Sequence, residues 1–254
     1  METDDFIDET LKEPLQIVFR DENYVAVFKP AGLLVHKSET TSAHVPVLLQ
    51  SLRDQLHCHV FPVHRLDRPT AGLILFGLNG QAAAKMVDLF TRRMVAKYYQ
   101  ALVCGWTPDT GQIDEPLGAK PDDEWGKEAA SQLDVATQDA STQFQTLARF
   151  QLPMNALAAS PIELSLLEVK PFTGRSHQIR RHLKHIGHPI VGDLRYGDQD
   201  FNRIVLAETG VVRMLLTSMR LDFRHPYTGE LQAITVSRGT QFDKAVSQML
   251  PHRL

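Results

Sequence analysis

The stretch His64-Arg65-Leu66-Asp67-Arg68-Pro69-Thr70-Ala71-Gly72-Leu73-Ile74-Leu75-Phe76 runs from a charged turn into a continuous apolar segment. An apolar run as short as 72–76 is typical of a buried strand. The residues before the turn, 60–63, predict another strand that leads into it. The charged turn is therefore expected at the edge of a hydrophobic core.

Asp67 lies in this turn between two arginines, Arg65 and Arg68. Cations at that distance along the chain keep a carboxylate ionised. A surface ion pair is the ordinary explanation of an Asp beside an Arg. The position directly before a buried strand favours a reactive group instead, because exclusion of water at the margin of a core strengthens its chemistry.

The flanking sequence predicts more strands than helices. Apolar runs at helical spacing predict helices over 45–56, after the capping residue Asn79 with Ala83, Met86, Val87 and Phe90 on the buried face, and around Ile179, Leu183 and Ile186 up to Gly187. Further strands are predicted at 16–21, 24–29, 98–103, 113–117, 142–150, 162–169, 215–223 and 231–236. Regular crossover helices do not separate these strands, which favours an α+β fold with a mixed, largely antiparallel sheet.

Acidic residues are concentrated in two stretches, six of the 30 in 1–13 and nine in 108–139. We expect 1–14 to be an acidic N-terminal tail, 15–254 to be a single domain, and 108–139 to be a long surface loop. Outside the two stretches, 24 Lys and Arg face 15 Asp and Glu, although the whole chain carries a net charge of -3. This excess suffices for a local phosphate-binding face or for a thinly spread solvated surface.

The strongest basic cluster is the segment 170–195, which holds six Lys and Arg and a single acid, Asp193. The start of its predicted helix would add free amide groups that attract a phosphate. A solvated helix face explains the same charges equally well. From composition and spacing alone, both interpretations stay open.

Composition and motifs narrow the class of protein. The chain has no signal peptide or apolar span, and Cys58 and Cys104 lack a disulfide pattern, so a cytoplasmic protein is expected. The phosphate-loop, dinucleotide-binding and nucleophile-elbow motifs are missing from the sequence, so no cofactor is expected. Two histidine clusters form an alternative, metal-binding hypothesis, but neither has a known zinc spacing: His57, His59 and His64, and His182, His185 and His188.

Four ordered motifs resemble those of the pseudouridine synthases that modify rRNA and tRNA, the family named after the ribosomal large-subunit enzyme A. The first is His64 to Gly72. The others are Val25-Ala-Val-Phe-Lys-Pro-Ala-Gly-Leu-Leu-Val35, Lys97-Tyr-Tyr-Gln-Ala-Leu-Val103 and Thr173-Gly-Arg-Ser-His-Gln-Ile-Arg180, followed by a similar closing stretch, Gly187-His-Pro-Ile-Val-Gly-Asp193. The resemblance covers about 15–236, and motifs in a shared order are far more specific than any one of them.

The resemblance implies the pseudouridine synthase fold, with a catalytic cleft across the sheet and no cofactor. It makes Asp67 the catalytic aspartate, Tyr99 the active-site tyrosine and Arg180 the ion-pair partner of the aspartate. The family usually has Ser where this chain has Ala71, which puts one hydrogen bond of the loop in doubt.

The same resemblance assigns contacts with RNA. Arg65 would fill the gap left by a flipped-out base, while Arg175 and Arg181 would face the RNA backbone. Thr70 and His177 are further candidates for RNA contact. No separate RNA-binding module is expected ahead of the catalytic part, and the protein is expected to act as a monomer on RNA, without a DNA or membrane partner.

Within the family, the chain looks most like the subgroup that acts on tRNA at uridine 65. This likeness rests on His59-Val60-Phe61, on the motif that starts at His64, and on Gln178-Ile-Arg-Arg-His-Leu183. An rRNA uridine is the alternative substrate. A noncatalytic RNA-binding module and a metal-dependent hydrolase are the rival classes, and intact Asp67, Tyr99 and Arg180 speak against the first of them.

Overall fold

The structure is a computed structural model that describes residues 14–36, 47–118, 137–153, 157, 160–210 and 212–254. Most of the predicted acidic tail and residues 119–136 of the predicted acidic loop lie outside this part of the chain. The chain forms two compact units. The first unit comprises Met1–Lys97 and Thr217–Arg238, and the second comprises Tyr98–Leu216 and Gly239–Leu254.

The described residues form twelve strands and five α-helices. The strands are β1 (Ile17–Arg20), β2 (Tyr24–Lys29), β3 (Phe61–Pro62), β4 (Ala71–Gly77), β5 (Ala96–Cys104), β6 (Thr110–Ile113), β7 (Leu117–Gly118), β8 (Thr137–Gln138), β9 (Thr142–Leu152), β10 (Ile162–Pro171), β11 (Leu216–Arg224) and β12 (Leu231–Thr235). The helices are α1 (Leu48–Leu56), α2 (Gly80–Thr91), α3 (Gln178–His185), α4 (Gln199–Thr209) and α5 (Thr240–Met249). None of these helices is both long and apolar enough to cross a membrane.

The first unit is built around β4, in which every residue is buried. One edge of β4 pairs antiparallel with β2, and β2 forms an antiparallel hairpin with β1, the two strands predicted at 16–21 and 24–29. Asp21 shapes the hairpin turn, because its Oδ1 accepts the backbone N–H groups of Asn23 and Tyr24 at 2.7 Å. The other edge of β4 pairs with β3 at one end and, in parallel, with β11 at the other.

Helix α2 covers the first unit's core and begins at the predicted cap, where Asn79 Oδ1 accepts the N–H of Ala82 at 2.8 Å. The predicted buried face is confirmed for Ala83, Met86 and Phe90 and was wrong for Val87. Ala82 is buried while Val87 is 43% exposed. The start of the helix lies close to β4, since an added Cβ at Gly77 would lie 2.7 Å from the backbone nitrogen of Ala83.

The second unit has the strand order β5-β10-β9-β6 with antiparallel pairing throughout, and β7 and β8 form a separate pair. The prediction of one strand over 113–117 was wrong. Ile113 ends β6 and Leu117 begins β7, and Pro116 between them has no N–H for a strand ladder. Helices α4 and α5 were not predicted from the sequence, yet Val205, Phe242 and Met249 on them are fully buried in this unit's core.

These pairings confirm the predicted fold class. The protein is α+β, and the strand pairs named above for the described residues are antiparallel except for β4 with β11. That parallel pair depends on Gly72, whose φ of +109° is rarely adopted by other residues. An added Cβ at Gly72 would lie 2.2 Å from the carbonyl oxygen of Ser218 on β11.

We expect Gly72→Ala to lower the free energy of unfolding by about 3 kcal/mol, because the new methyl group clashes with backbone and the residue is strained. Urea unfolding followed by circular dichroism measures the change. Gly80→Ala at the start of α2 is the matched control, since nothing lies within 4 Å of its added Cβ. Equal stability of the two variants would show that β4 and β11 are not packed this closely.

Candidate active site

Asp67 lies in the loop that connects β3 to β4. The loop is folded back on itself, because the Asp67 carbonyl accepts the N–H of Thr70 at 3.0 Å. Leu66 and Thr70 are buried on either side of it, whereas Arg65 is exposed. The first unit therefore carries Arg65, Asp67 and Thr70 together on one short, anchored segment.

A buried lysine fixes this loop to the segment that follows β2. Lys29 is fully buried, and its ammonium group donates to the carbonyls of Pro30, Leu33 and Arg68 at 2.8–3.0 Å. Two hydrogen bonds join Gly32 to Arg68. The Gly32 N–H donates to the Arg68 carbonyl, and the Arg68 Nε donates to the Gly32 carbonyl. A buried ammonium needs such partners, so Lys29 holds the residue next to Asp67 in place.

His64 anchors the loop's other end. Its Nε2 accepts the N–H of Leu75 in β4 at 3.0 Å, and its ring stacks on Phe90 with centroids 4.7 Å apart. Burial, and then the nearby charge of Lys97, lower the pKa of His64 to about 3. The imidazole is therefore neutral at physiological pH, as its role as a hydrogen-bond acceptor requires.

In the second unit, the loop before α3 is shaped by the buried amide of Gln178. Its Oε1 accepts from the Thr173 hydroxyl at 2.6 Å and from the Arg175 N–H at 3.0 Å. Its Nε2 donates to the Ser141 carbonyl and to the Thr142 hydroxyl. Gln178 thus ties the predicted basic segment to the start of β9.

Arg180 is buried in α3 and forms a bidentate ion pair with buried Asp193. Its Nε donates to Oδ2 at 2.7 Å and its Nη2 to Oδ1 at 2.9 Å. Burial raises the pKa of Asp193, but the hydrogen bonds and charge of Arg180 outweigh this and hold it below its usual value. A guanidinium has five N–H donors, and Asp193 uses two of them to set its plane.

Tyr196 contacts His177, a predicted RNA-contact residue, and Arg180, the predicted ion-pair partner of the aspartate, in the same unit. Its hydroxyl lies 3.0 Å from His177 Nδ1, and the guanidinium carbon of Arg180 lies 4.9 Å from its ring centroid. Arg195 approaches the same ring at 5.6 Å. Arg181 donates to the Gly118 carbonyl at 3.0 Å, and burial lowers its pKa from the usual value.

The remaining two predicted residues, Tyr99 and Arg175, also belong to the second unit. Tyr99 lies on β5 opposite Val169 of β10 and is 8% exposed. Arg175 is partly exposed and donates from Nε to the Asp139 carbonyl at 3.1 Å. That Tyr99 and Arg180 act together with Asp67 of the first unit stays a prediction.

Three histidines of the two predicted clusters, His64, His182 and His188, serve as hydrogen-bonding groups. His182 is buried, with Nδ1 2.9 Å from the Thr142 hydroxyl and Nε2 3.0 Å from the Glu115 carbonyl. His188 Nδ1 lies 2.8 Å from the Cys104 carbonyl. Within the described residues, no three His, Cys, Asp or Glu side chains are grouped to hold a metal ion.

Comparisons with known proteins agree with this arrangement of motifs. Residues 23–185 match the family model described as RNA pseudouridylate synthase. The chain belongs to this family.

Among its relatives, the tRNA pseudouridine synthase C of Haemophilus ducreyi is 43% identical over 88% of this chain and 90% of its own length. The protein of the same name from Vibrio vulnificus is 41% identical over 84% and 86%. Two solved human structures share the fold at 26% identity. RNA pseudouridylate synthase domain containing 1 has a TM-score of 0.69 over 89% of this chain and 84% of its own. RNA pseudouridylate synthase domain containing 4 has a TM-score of 0.68 over 96% of this chain and 95% of its own.

Four residues that were not predicted to have a role contact predicted site residues or their neighbours within their own unit: Lys29 in the first unit, and Gln178, Asp193 and Tyr196 in the second. Lys29, Gln178 and Asp193 stand within stretches that resemble the family, and Tyr196 stands three residues after the last of them. The sequence marks such a residue as a polar side chain next to apolar neighbours, as Lys29 is after Val27 and Phe28. Their partners are distant in the sequence, so only the folded chain identifies them.

We expect Asp193→Ala to lower the free energy of unfolding by about 3–5 kcal/mol, because it leaves the Arg180 guanidinium buried without its carboxylate. Arg180→Met combined with Asp193→Ala should cost less than the sum of the two single changes. Asp88→Ala is the control, since its ion pair with Arg92 is exposed and contributes at most about 0.5 kcal/mol. Strictly additive losses in urea unfolding would contradict a coupled buried pair.

Proposed function

We propose that this protein isomerises uridine to pseudouridine in tRNA, with Asp67 as the essential carboxylate. The observation that carries the proposal is the placement of Asp67. It stands in a loop that Lys29 and His64 hold at both ends, in a chain of the RNA pseudouridylate synthase family. The curated relatives named above, at 41–43% identity, carry tRNA in their names.

The reaction breaks the bond between ribose C1′ and uracil N1 and joins C1′ to C5. N1 gains a proton and C5 loses one, so the overall change is an isomerisation that needs no oxidant or nucleotide. A carboxylate can act at C1′ as a nucleophile or as a base, or it can add to the uracil ring. Asp67 is proposed for that role.

Tyr99 and Arg180 are proposed as the other catalytic residues. The ring of a tyrosine can stack on the displaced uracil, and its hydroxyl can take part in removal of the C5 proton. An arginine keeps a carboxylate ionised and oriented. Arg180 suits this role because Asp193 already fixes its plane, which lowers the entropy lost when it engages another group.

A uridine stacked within RNA is out of reach, so the nucleotide must first leave the stack. Exposed Arg65, two residues before Asp67, is proposed to fill the space that the base vacates. Thr70, Arg175, His177 and Arg181 are proposed to contact the RNA. Recognition of this kind depends on backbone shape and local base contacts.

Uridine 65 is proposed as the target, on the likeness to the subgroup that modifies this position. An rRNA uridine is the competing substrate, and the experiment below separates the two. We further propose that the protein acts as a monomer in the cytoplasm, which light scattering coupled to gel filtration and cell fractionation would test.

We expect wild-type protein to release tritium from bulk tRNA labelled at uridine C5, and Asp67→Asn to release none while binding tRNA with unchanged affinity. Asn matches Asp in shape but cannot act as a nucleophile or base. Asp88→Asn, on the exposed face of α2, is the control and should keep full activity. Labelled rRNA is assayed in parallel.

Release from rRNA alone would overturn the tRNA substrate and keep the reaction. Substantial turnover by Asp67→Asn would overturn the role of Asp67. Absence of release from both RNAs by the wild type, with binding retained, would establish a noncatalytic RNA-binding protein.

We expect Arg175→Ala to weaken tRNA binding and to reduce the salt dependence of log Kd by about 0.7–0.9, the value for one phosphate contact. Filter binding between 50 and 200 mM KCl measures the slope. Arg92→Ala on α2 is the control, because that arginine is paired with Asp88 on an exposed helix surface. An unchanged slope for Arg175→Ala would show that this side chain does not contact the backbone.

A further inference from the structure

The edge of β4 opposite β2 is covered in two separate places. β3 pairs with Phe76 and Gly77, and β11 pairs with Ala71 and Gly72. Between these pairings the backbone of β4 is still buried, and the N–H of Leu75 needs an acceptor there. The side chain of His64 provides it, with Nε2 at 3.0 Å.

This contact has a direct consequence for Asp67, which follows His64 by three residues. The side-chain hydrogen bond stands where a backbone bond of β3 would have continued the ladder. The backbone therefore leaves β4 after Val63, while His64, the next residue, stays bonded to β4 through its side chain. We infer that His64 is a positioning residue, which holds the start of the Asp67 loop against β4 through the Leu75 amide.

Two features of its surroundings, a ring contact and an electrostatic effect, restrict the ring to this role. It stacks on Phe90 at an interplanar angle of 25°, which fixes its plane and aims Nε2 at β4. Burial of the ring, and then the nearby charge of Lys97, lower the pKa of His64 and so disfavour the imidazolium form. Because a protonated imidazole has two donors and no acceptor, only the neutral form can hold Leu75.

The inference rests on the proposed function, since it concerns how the carboxylate of that reaction is placed. It assigns to His64 no proton transfer and no contact with substrate. His64 therefore differs from Arg65, Asp67 and Thr70 of the same loop, which are proposed to meet the RNA. Loss of its hydrogen bond should affect the alignment of Asp67 more than the binding of tRNA.

The test compares His64→Gln, His64→Asn and His64→Leu with the wild type. Oε1 of Gln stands four bonds from Cα, as Nε2 of His does, whereas Oδ1 of Asn stands only three bonds away. Gln should therefore keep the acceptor and retain kcat within about threefold, while Asn and Leu should lose about tenfold to a hundredfold in kcat with little change in KM. His57→Gln, at an exposed histidine, controls for the substitution itself.

Two readouts accompany the kinetics. Hydrogen exchange at the Leu75 amide should be slow in the wild type and His64→Gln, and fast in His64→Asn and His64→Leu. The ratio of wild-type to His64→Asn kcat should be constant from pH 5.5 to 8.5, because the histidine stays neutral over this range. A ratio that changes with pH would overturn the inference in favour of acid or base chemistry by His64.

Equal kcat values for Gln and Asn would also overturn it, because stacking or bulk rather than the acceptor would then matter. A change in KM with unchanged kcat in His64→Asn and His64→Leu would overturn the inference as well. If the wild type itself releases no tritium, the proposed function fails, and exchange at Leu75 then decides on its own whether His64 holds the loop. Unchanged exchange in His64→Leu would show that it does not.

Discussion

Complete burial of β4 is the constraint on which the rest of the first unit depends. Each residue of this strand is shielded from water, so each of its backbone polar groups must be bonded within the protein. β2 satisfies one edge, and three different partners share the other: β3, the His64 side chain and β11. The Asp67 loop leaves β4 where the His64 side chain, rather than a strand, bonds the Leu75 amide.

The anchors of this loop illustrate how buried polar groups specify a conformation. Lys29 cannot be buried without acceptors, and the carbonyls that it binds belong to two loops that are far apart in the sequence. The same principle applies in the second unit, where Gln178 has partners on both its oxygen and its nitrogen, and Asp193 holds Arg180. Removing one partner of such a pair costs more than an exposed ion pair ever contributes.

Rigid support suits an isomerisation that needs no cofactor. With no metal or coenzyme invoked in the proposed reaction, the rate depends on the placement of a few side chains of the protein. Asp67 and Arg180 are each held by neighbours whose own positions are fixed. The RNA-facing candidates Arg65 and Arg175 are more exposed, which fits side chains that adjust to a nucleic acid.

The sequence by itself determined the fold class, most strand positions, the family and the identity of the candidate residues, because apolar periodicity and ordered motifs are local features. It wrongly placed Val87 on the buried face of α2, joined β6 to β7 and missed α4 and α5. Those features depend on how neighbouring elements pack, and β4 and α2, for example, approach each other closely at Gly77 and Ala83. Only the tertiary structure decided that Lys29 and His64 hold the Asp67 loop of the first unit, and that Gln178 and Asp193 hold the Arg175 and Arg180 region of the second. Each acts through a partner brought near by folding, and a hydrogen bond between distant residues leaves no periodic pattern in the chain.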